Sequence, residues 1–133
     1  MPADRSSLPG ADPVLSRALL GRAAEAAVVA YLEARGVEII AKNLRMGRLE
    51  LDIVAREGRV IAVVEVRSRA EGSWTSGFGS IDSEKRRRVR RAGERLWQRR
   101  FKNDPEIDRL RFDAASVRFE GQQAVVEYAK AAF

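Results

Sequence analysis

The sequence contains neither cysteine nor histidine among its 133 residues. Without these residues the protein has no thiol nucleophile, no disulfide and no Ser–His catalytic triad. The side chains that most often bind zinc are missing as well. A metal ion in this protein must therefore be held by oxygen atoms, which favours Mg²⁺, Mn²⁺ or Ca²⁺ over zinc.

Long hydrophobic runs are also absent from the sequence. No apolar segment approaches the ~20 residues that a transmembrane helix needs, and the N-terminus lacks the apolar region of a signal peptide. We therefore expect a cytoplasmic protein that does not enter a membrane.

The length of the chain fits a single domain. Residues 1–13 combine three prolines and Gly10 with small side chains that show no apolar periodicity. This composition predicts a disordered N-terminal tail. The rest of the chain, residues 14–133, is long enough to bury a hydrophobic core and forms the predicted domain.

Positive charge exceeds negative charge in the sequence. The chain has 25 basic and 19 acidic residues, a net charge of +6 and a pI near 10.4. Most of the basic residues are arginine, whose planar guanidinium can donate two hydrogen bonds to one phosphate. This excess predicts a polyanionic partner such as a nucleic acid, although an arginine-rich genome would explain the same composition.

Apolar periodicity and turn residues predict a mixed α/β domain with a central sheet flanked by helices, in the order α-β-β-β-α-β-β. The predicted helices run from Ser16 to about Arg35 and from Ser80 to about Arg100. The predicted strands lie at about 37–41, 49–55, 60–69, 110–119 and 124–128. Residues 42–47 and the glycine- and serine-rich residues 74–79 are predicted loops.

The second and third strands, joined by a short connection, predict a β-hairpin. With Glu57 and Gly58 as a two-residue turn, Arg56 pairs with Arg59. Because side chains alternate along a strand, one face of this hairpin is apolar throughout and must lie in the core. That apolar face consists of Leu49, Leu51, Ile53, Ala55, Val60, Ala62, Val64 and Val66.

The opposite face of the hairpin collects acidic side chains near its open end. In the predicted register Glu50 lies directly across from Glu65, and Asp52 is the diagonal neighbour of Glu65. Facing carboxylates repel each other, so this cluster needs a cation. Arg48 and Arg67 on the same face would neutralise the acids permanently, whereas a divalent metal would make them a catalytic site. The spacing leaves both interpretations open.

Each predicted helix carries a charged residue at or within its apolar stripe. Glu25 lies at the border of the stripe of the first helix, from which a carboxylate reaches either into a cleft or out to solvent. Lys85 lies four residues from both Ile81 and Val89, which places it on the inner face of the second helix. It either pairs with the acids of the hairpin or extends past the edge of the core to water.

The second helix also carries a run of arginines. The arginines of this helix form an outward basic surface, and the candidate nucleic-acid contacts among them are Arg86, Arg87, Arg90 and Arg91. The other members are Arg88, Arg95, Arg99 and Arg100. Such a surface suits the phosphate backbone of a nucleic acid, with salt-dependent contacts that are largely indifferent to base sequence. A solvated helix face is the plainer explanation of the same residues.

The segments that carry these residues resemble the YraN-like family of uncharacterised bacterial proteins. That family is similar to restriction endonucleases of the PD-(D/E)XK type and to archaeal Holliday-junction resolvases. The resemblance covers residues 21–133, in order and at the expected distances. The matching stretches are 21–25, 33–36, 42–45, 50–55, 64–69, 85–87, 111–113 and 132–133.

The resemblance implies a restriction-endonuclease-like fold and Mg²⁺- or Mn²⁺-dependent cleavage of DNA phosphodiester bonds, on branched or damaged DNA. Asp52 and Glu65 match the metal-binding acids of the motif. Glu50 and Glu25 match two further acids of the family, the second of them on the first helix. Carboxylates that fix Mg²⁺ let the ion polarise a phosphoryl oxygen and lower the pKa of a bound water.

Arg67 departs from the motif, which usually has lysine at this position. Arginine effectively never deprotonates, so Arg67 can stabilise developing charge but cannot act as a base. Lys85 is the residue that would replace the motif lysine. A non-catalytic nucleic-acid-binding module with the same fold is the alternative function, and a homodimer is expected only by analogy with resolvases.

Overall fold

The computed structural model describes residues 13–69 and 83–133, and within these ranges the side chains from Ala18 onward. The order of helices and strands is the predicted one. The elements are α1 (Pro13–Ala34), β1 (Glu38–Met46), β2 (Leu49–Glu57), β3 (Val60–Arg69), α2 (Ser83–Leu96), β4 (Arg109–Glu120) and β5 (Gln123–Ala129). α2 leads directly into a single π-helical turn, Trp97–Phe101.

The strands of the described residues form one five-stranded sheet in the order β1-β2-β3-β4-β5. Neighbouring strands are antiparallel except β3 and β4, which run parallel. A parallel pair needs a long crossover connection, and α2 lies within it. The predicted α/β domain with a mixed central sheet flanked by helices is confirmed.

The sheet is covered on both faces, by α1 on one side and by α2 on the other. Because the central strands are buried on both faces, their sequences are apolar nearly throughout. The core under α1 includes Ala24, Val28, Leu32, Ile53, Ala55, Ala62, Val64, Ala115 and Val117. The core under α2 includes Leu51, Val54, Ile61, Val63, Val89, Ala92, Leu96 and Phe112.

The helix boundaries agree in part with the predicted ones. α1 begins at Pro13 rather than at Ser16, because proline suits a first helical turn, where its missing N–H needs no partner. It ends before Gly36, whose φ of +77° is the left-handed conformation that commonly follows a helix. In the part of the chain that the structure describes, no helix is both long and apolar enough to cross a membrane.

Three predicted features lie outside the described residues. They are the disordered tail, apart from Pro13, the loop at 74–79 and the start of the second helix at Ser80. These features stay predictions.

The predicted loop at 42–47 is wrong, because β1 continues to Met46 before a tight turn at Gly47 and Arg48. Lys42 and Arg45 are exposed, so their side chains point to solvent while their backbone pairs with β2. Polar composition suggested a loop, yet it also suits the edge strand of a sheet.

The predicted register of the hairpin is also wrong, since its two-residue turn is Gly58-Arg59 and Glu57 pairs with Val60. Gly58 has a φ of +61°, a conformation that glycine adopts without strain. The shift by two residues leaves each side chain of β3 on its predicted face. Continued along the strands, the observed register brings Asp52, rather than Glu50, to the position across from Glu65.

The alternation of side chains along β2 is interrupted at Asp52. Leu51 packs under α2 together with Val54, whereas Ile53 packs under α1. Across the ladder, Asn43 of β1 has a left-handed backbone with φ +52°. The prediction that Leu49 and Leu51 share the face of Ile53 is therefore wrong, because strict alternation does not hold through this irregular point.

Candidate active site

The structure brings Asp52 and Glu65 together where β2 and β3 separate. Backbone pairing between these strands is observed as far as Ile53 and Val64, while β3 continues in register with β4. Beyond that point the Asp52 carboxylate accepts a hydrogen bond from the Val66 N–H, at 2.8 Å. The Asp52 side chain thus accepts a hydrogen bond from β3 where the backbone pairing of the two strands has ended. This hydrogen bond fixes the carboxyl group of Asp52 beside β3.

Glu65 is buried, with 2% of its side chain exposed, and it forms an ion pair with Lys85 of α2. The Lys85 Nζ lies 2.5 Å from Glu65 Oε1. The inward position predicted for Lys85 is confirmed, and the lysine pairs with an acid of the hairpin.

The environment of Asp52 disfavours its negative charge. Burial, followed by the charge of Glu65, raises the pKa of Asp52 from 3.8 to about 7. A hydrogen bond with Glu65 and the charge of Glu25 act in the same direction, while the Val66 N–H lowers the pKa. Asp52 therefore retains a proton near neutral pH more readily than an exposed aspartate does.

Glu25 and Glu50 lie on a neighbouring groove between α1 and the edge of the sheet. This groove has a volume of about 540 Å³, and its wall also contains Arg22 and Asn43. Glu25 faces this cleft and contributes to the potential at Asp52, as its border position on α1 suggested. Glu50 is exposed and belongs to the same groove.

The predicted metal set of Glu50, Asp52 and Glu65 is not assembled as a group of three. In the part of the chain that the structure describes, no three acidic side chains are placed to hold a metal ion. The reason is the hairpin register, which sets Asp52 across from Glu65 and leaves Glu50 near Glu25. Asp52 and Glu65 are the pair that the fold brings together.

Asp52 and Glu65 still fit a divalent ion. Mg²⁺ is commonly held by one or two carboxylates and keeps several waters, so a third acid is not needed. Burial and the charge of Glu65 raise the pKa of Asp52, and a cation between the two carboxyl groups would offset this repulsion. These two residues would hold the ion, and the exposed groove beside them would admit its waters.

The two arginines predicted on the acidic face have different surroundings. Arg67 is half-buried on β3, two residues beyond Glu65 and paired in register with Ser116 of β4. Arg48 is exposed at the β1–β2 turn and lines a different groove, next to arginines of α2. The cation observed at Glu65 is Lys85, and the proposed neutralisation by Arg48 is not supported.

The four candidate arginines of α2 have different surroundings. Arg90 lies over the ring of Phe112, with its Cζ 5.0 Å from the ring centroid. Arg91 is exposed on the opposite flank of the helix, in the groove of Arg48. Arg87 is exposed and Arg86 is half-buried. Because a helix turns by 100° per residue, the four positions span about 140° of its outward side, so Arg90 and Arg91 line different grooves.

Arg88 and Arg95 of the predicted basic surface line the groove of Arg48 together with Arg91, a grouping that was not predicted. The signal was their spacing, since positions 88, 91 and 95 recur at three and four residues and therefore form one flank of a helix. Arg48 could be assigned to this groove only once the turn was placed against α2.

The fold and the site define a class: a single α/β domain with a buried acid pair at the point where two strands of a mixed sheet separate. The chain belongs to Uncharacterised protein family UPF0102, whose family model matches residues 24–117. The predicted resemblance to the YraN-like family is thereby confirmed.

Relatives in several bacteria share the greater part of the chain. A UPF0102 protein of Sorangium cellulosum is 56% identical over 125 residues, which cover 93% of this chain and 87% of the relative. One from Parafrankia sp. is 38% identical, covering 86% of this chain and 95% of its own. One from Myxococcus xanthus is 35% identical, covering 85% and 87%.

Proposed function

We propose that this protein is a metal-dependent nuclease that cleaves phosphodiester bonds of DNA, with branched or damaged DNA as the preferred substrate. The observation that carries the proposal is the Asp52–Glu65 pair, buried at the divergence of β2 and β3 beside Lys85. Buried acids that repel each other reduce stability unless a cation joins them, so their juxtaposition favours a functional site.

In this proposal Asp52 and Glu65 would hold Mg²⁺ or Mn²⁺, and the ion would supply Lewis-acid polarisation of a phosphoryl oxygen and a more acidic water. Glu25 and Glu50 line the adjoining groove and accept hydrogen bonds from water that enters it. Lys85 pairs with Glu65 and orients that carboxylate despite its burial.

In this proposal Arg67 and Lys85 together supply the positive charge that a single lysine would supply in the motif. Arg67 follows Glu65 by two residues on β3 and supplies a permanent positive charge for the phosphate. Lys85 enters from α2 and contacts the acid pair directly. Neither residue has to act as the base, since a water held beside two carboxylates can pass its proton to one of them.

Cleavage assays test this proposal. The purified protein is incubated with Mg²⁺ or Mn²⁺ and a panel of linear, flapped and four-way DNA. We expect cleavage that Asp52→Asn or Glu65→Gln reduces by about 100-fold or more. Asp108→Asn is the matched control, because Asp108 is an exposed acid beside the Gly58-Arg59 turn, at the far end of the hairpin. Absence of cleavage on every substrate, with Arg67→Lys no more active, would contradict the proposal.

Metal binding provides a readout that does not depend on turnover. A ligand that binds only the folded state raises the melting temperature. We expect Mg²⁺ or Mn²⁺ to raise the Tm of the wild-type protein and to leave the Tm of the Asp52→Asn/Glu65→Gln variant unchanged. An equal effect on both proteins would place the ion elsewhere.

A non-catalytic nucleic-acid-binding module is the second candidate. Two observations favour it: Arg67 stands in place of the lysine, and Lys85 already neutralises one acid of the pair. This candidate predicts salt-sensitive DNA binding that survives Asp52→Ala and Glu65→Ala, without cleavage by the wild-type protein.

Analytical ultracentrifugation with a four-way junction would test whether two copies of the protein act together, as a two-fold symmetric substrate would require.

A further inference from the structure

A second groove lies on the α2 side of the sheet, between the β1–β2 turn and the helix. Its volume is about 190 Å³, and four arginines line it. The apolar side chains of Met46, Leu49 and Ala92 form its floor. The arginines are Arg48, Arg88, Arg91 and Arg95.

The geometry of the two elements concentrates these charges. Arg88, Arg91 and Arg95 follow one flank of α2, beside the buried stripe that contains Ala92. The turn brings Arg48 against this flank, and the approach is close: a Cβ on Gly47 would lie 3.3 Å from Arg95 Nη1. Gly47 also has a φ of +64°, so glycine suits the turn for two reasons.

The charges of this groove are poorly neutralised. Arg88 forms an ion pair with Glu84 at 3.6 Å, in which both side chains are largely exposed. Arg48, Arg91 and Arg95 make no ion pair with any acid within residues 13–69 and 83–133. Cations around an apolar floor repel each other and focus the electrostatic potential, which favours an anionic ligand.

The groove lies within reach of the acid pair. Arg48 precedes Asp52 by four residues of β2, or about 13 Å of strand. Along α2, the rise from Lys85 to Arg88 is about 4.5 Å and the rise to Arg95 is about 15 Å. A duplex strand carries one phosphate per roughly 3.4 Å of helix axis, so about four phosphates span this distance. A strand that crosses the acids would therefore continue into the groove.

We propose that this arginine groove binds the phosphodiester backbone of the nucleic acid next to the bond at the acid pair. The identity of the strand rests on the proposed function, but binding in the groove requires neither the acids nor a metal. Guanidinium groups on both walls donate hydrogen bonds to successive phosphates, while the apolar floor accommodates the sugars. The contacts position the strand and do not select bases.

The test compares two double variants of equal charge. Arg91→Gln/Arg95→Gln removes two groove arginines, whereas Arg99→Gln/Arg100→Gln removes two exposed arginines of the π-helical turn. Binding of the full chain to labelled DNA is followed by fluorescence anisotropy without divalent metal, over a range of salt concentrations. Thermal unfolding confirms that both variants fold.

We expect the groove variant to bind roughly ten- to hundred-fold more weakly near 0.1 M salt, with a salt slope smaller by about two. The control variant should stay within about three-fold of the wild type, because Arg99 and Arg100 line a different groove. Equal losses in both variants would show that net charge alone attracts DNA, and would overturn the proposal. Full displacement of DNA by stoichiometric inorganic phosphate would also overturn it, in favour of a small-anion site.

Binding and cleavage measurements distinguish failure of the groove proposal from failure of the nuclease proposal. If wild-type protein never cleaves while the groove variant still binds DNA more weakly than the control, the groove stands without catalysis. If both variants bind equally while Asp52→Asn abolishes cleavage, the nuclease stands and the groove is rejected.

Discussion

At the scale of single residues, the carboxyl of Asp52 carries an energetic cost that depends on pH. Its pKa in the folded protein is raised to about 7, first by burial and then by Glu65. Between pH 4 and 7 the folded state therefore binds more protons than the unfolded state. The stability that the protonated group contributes is present at low pH and is lost as the pH rises through 7.

Asp52→Asn should remove this dependence, because an amide carries no charge and its oxygen can still accept the Val66 N–H. We expect the variant to be more stable than the wild type at pH 8, by roughly 1–4 kcal/mol. At pH 4 the two proteins should be nearly equal. Urea unfolding in the absence of divalent ions, at both pH values, measures the difference. The same pH slope in both proteins would show that Asp52 does not titrate as described.

At the scale of secondary structure elements, α2 lies very close to the sheet at Gly93. A Cβ at this position would lie 2.6 Å from Phe112 Cε1 and 2.8 Å from Cζ. The ring of Phe112 cannot move freely, since it is buried and packs against Phe133 at 5.5 Å and beneath Arg90. Because Gly93 has no side chain, α2 can lie close to the sheet. The distance between α2 and the sheet in turn determines the position of Lys85.

Gly93→Ala should destabilise the protein although alanine favours helices. The gain in helix propensity is about 1 kcal/mol, whereas overpacking a tight core costs about 1–3 kcal/mol. Gly21→Ala in α1 is the matched control, because a Cβ at that position would meet no neighbouring group within 4 Å. We expect it to stabilise by about 0.5–1 kcal/mol. Chemical denaturation distinguishes the two, and stabilisation by both would contradict the close contact at Phe112.

At the scale of the whole molecule, one buried acid joins the end of the chain to the sheet. Asp113 is fully buried and accepts hydrogen bonds from Arg111, from Tyr128 and from the N–H of Ala131. Arg111 also bonds to Glu57, so β2, β4, β5 and the last residues meet in one network. Burial, followed by the hydrogen bond to Asp113, raises the pKa of Tyr128 and keeps its hydroxyl a donor.

Asp113→Asn should destabilise the whole fold, because Arg111 loses a buried partner at 2.8 and 2.9 Å. We expect a loss of about 2–4 kcal/mol in the free energy of unfolding. Glu120→Gln is the control, since it weakens only an exposed ion pair with Arg118 and should cost less than about 1 kcal/mol. Equal costs in the two variants, measured by urea unfolding, would argue against the network.

Local patterns in the sequence were sufficient for several features. The order of the elements, the end of α1 before Gly36 and the inward position of Lys85 all follow from periodicities of two or 3.6 residues and from glycine at a helix end. The pairing of acids near the open end of the hairpin was also foreseen. These features depend on residues close in sequence, so neighbouring side chains are enough to infer them.

Contacts between distant segments decided the remainder. Two turns, Glu57-Gly58 and Gly58-Arg59, are compatible with the same alternation of side chains in the hairpin. Only the packing of both faces selects Gly58-Arg59. With this turn Asp52, rather than Glu50, lies opposite Glu65. The break in alternation at Asp52 coincides with Asn43 on another strand. The arginine groove needs a turn placed against a helix. Register and juxtaposition are set by the free energy of the assembled core, which no short stretch of sequence contains.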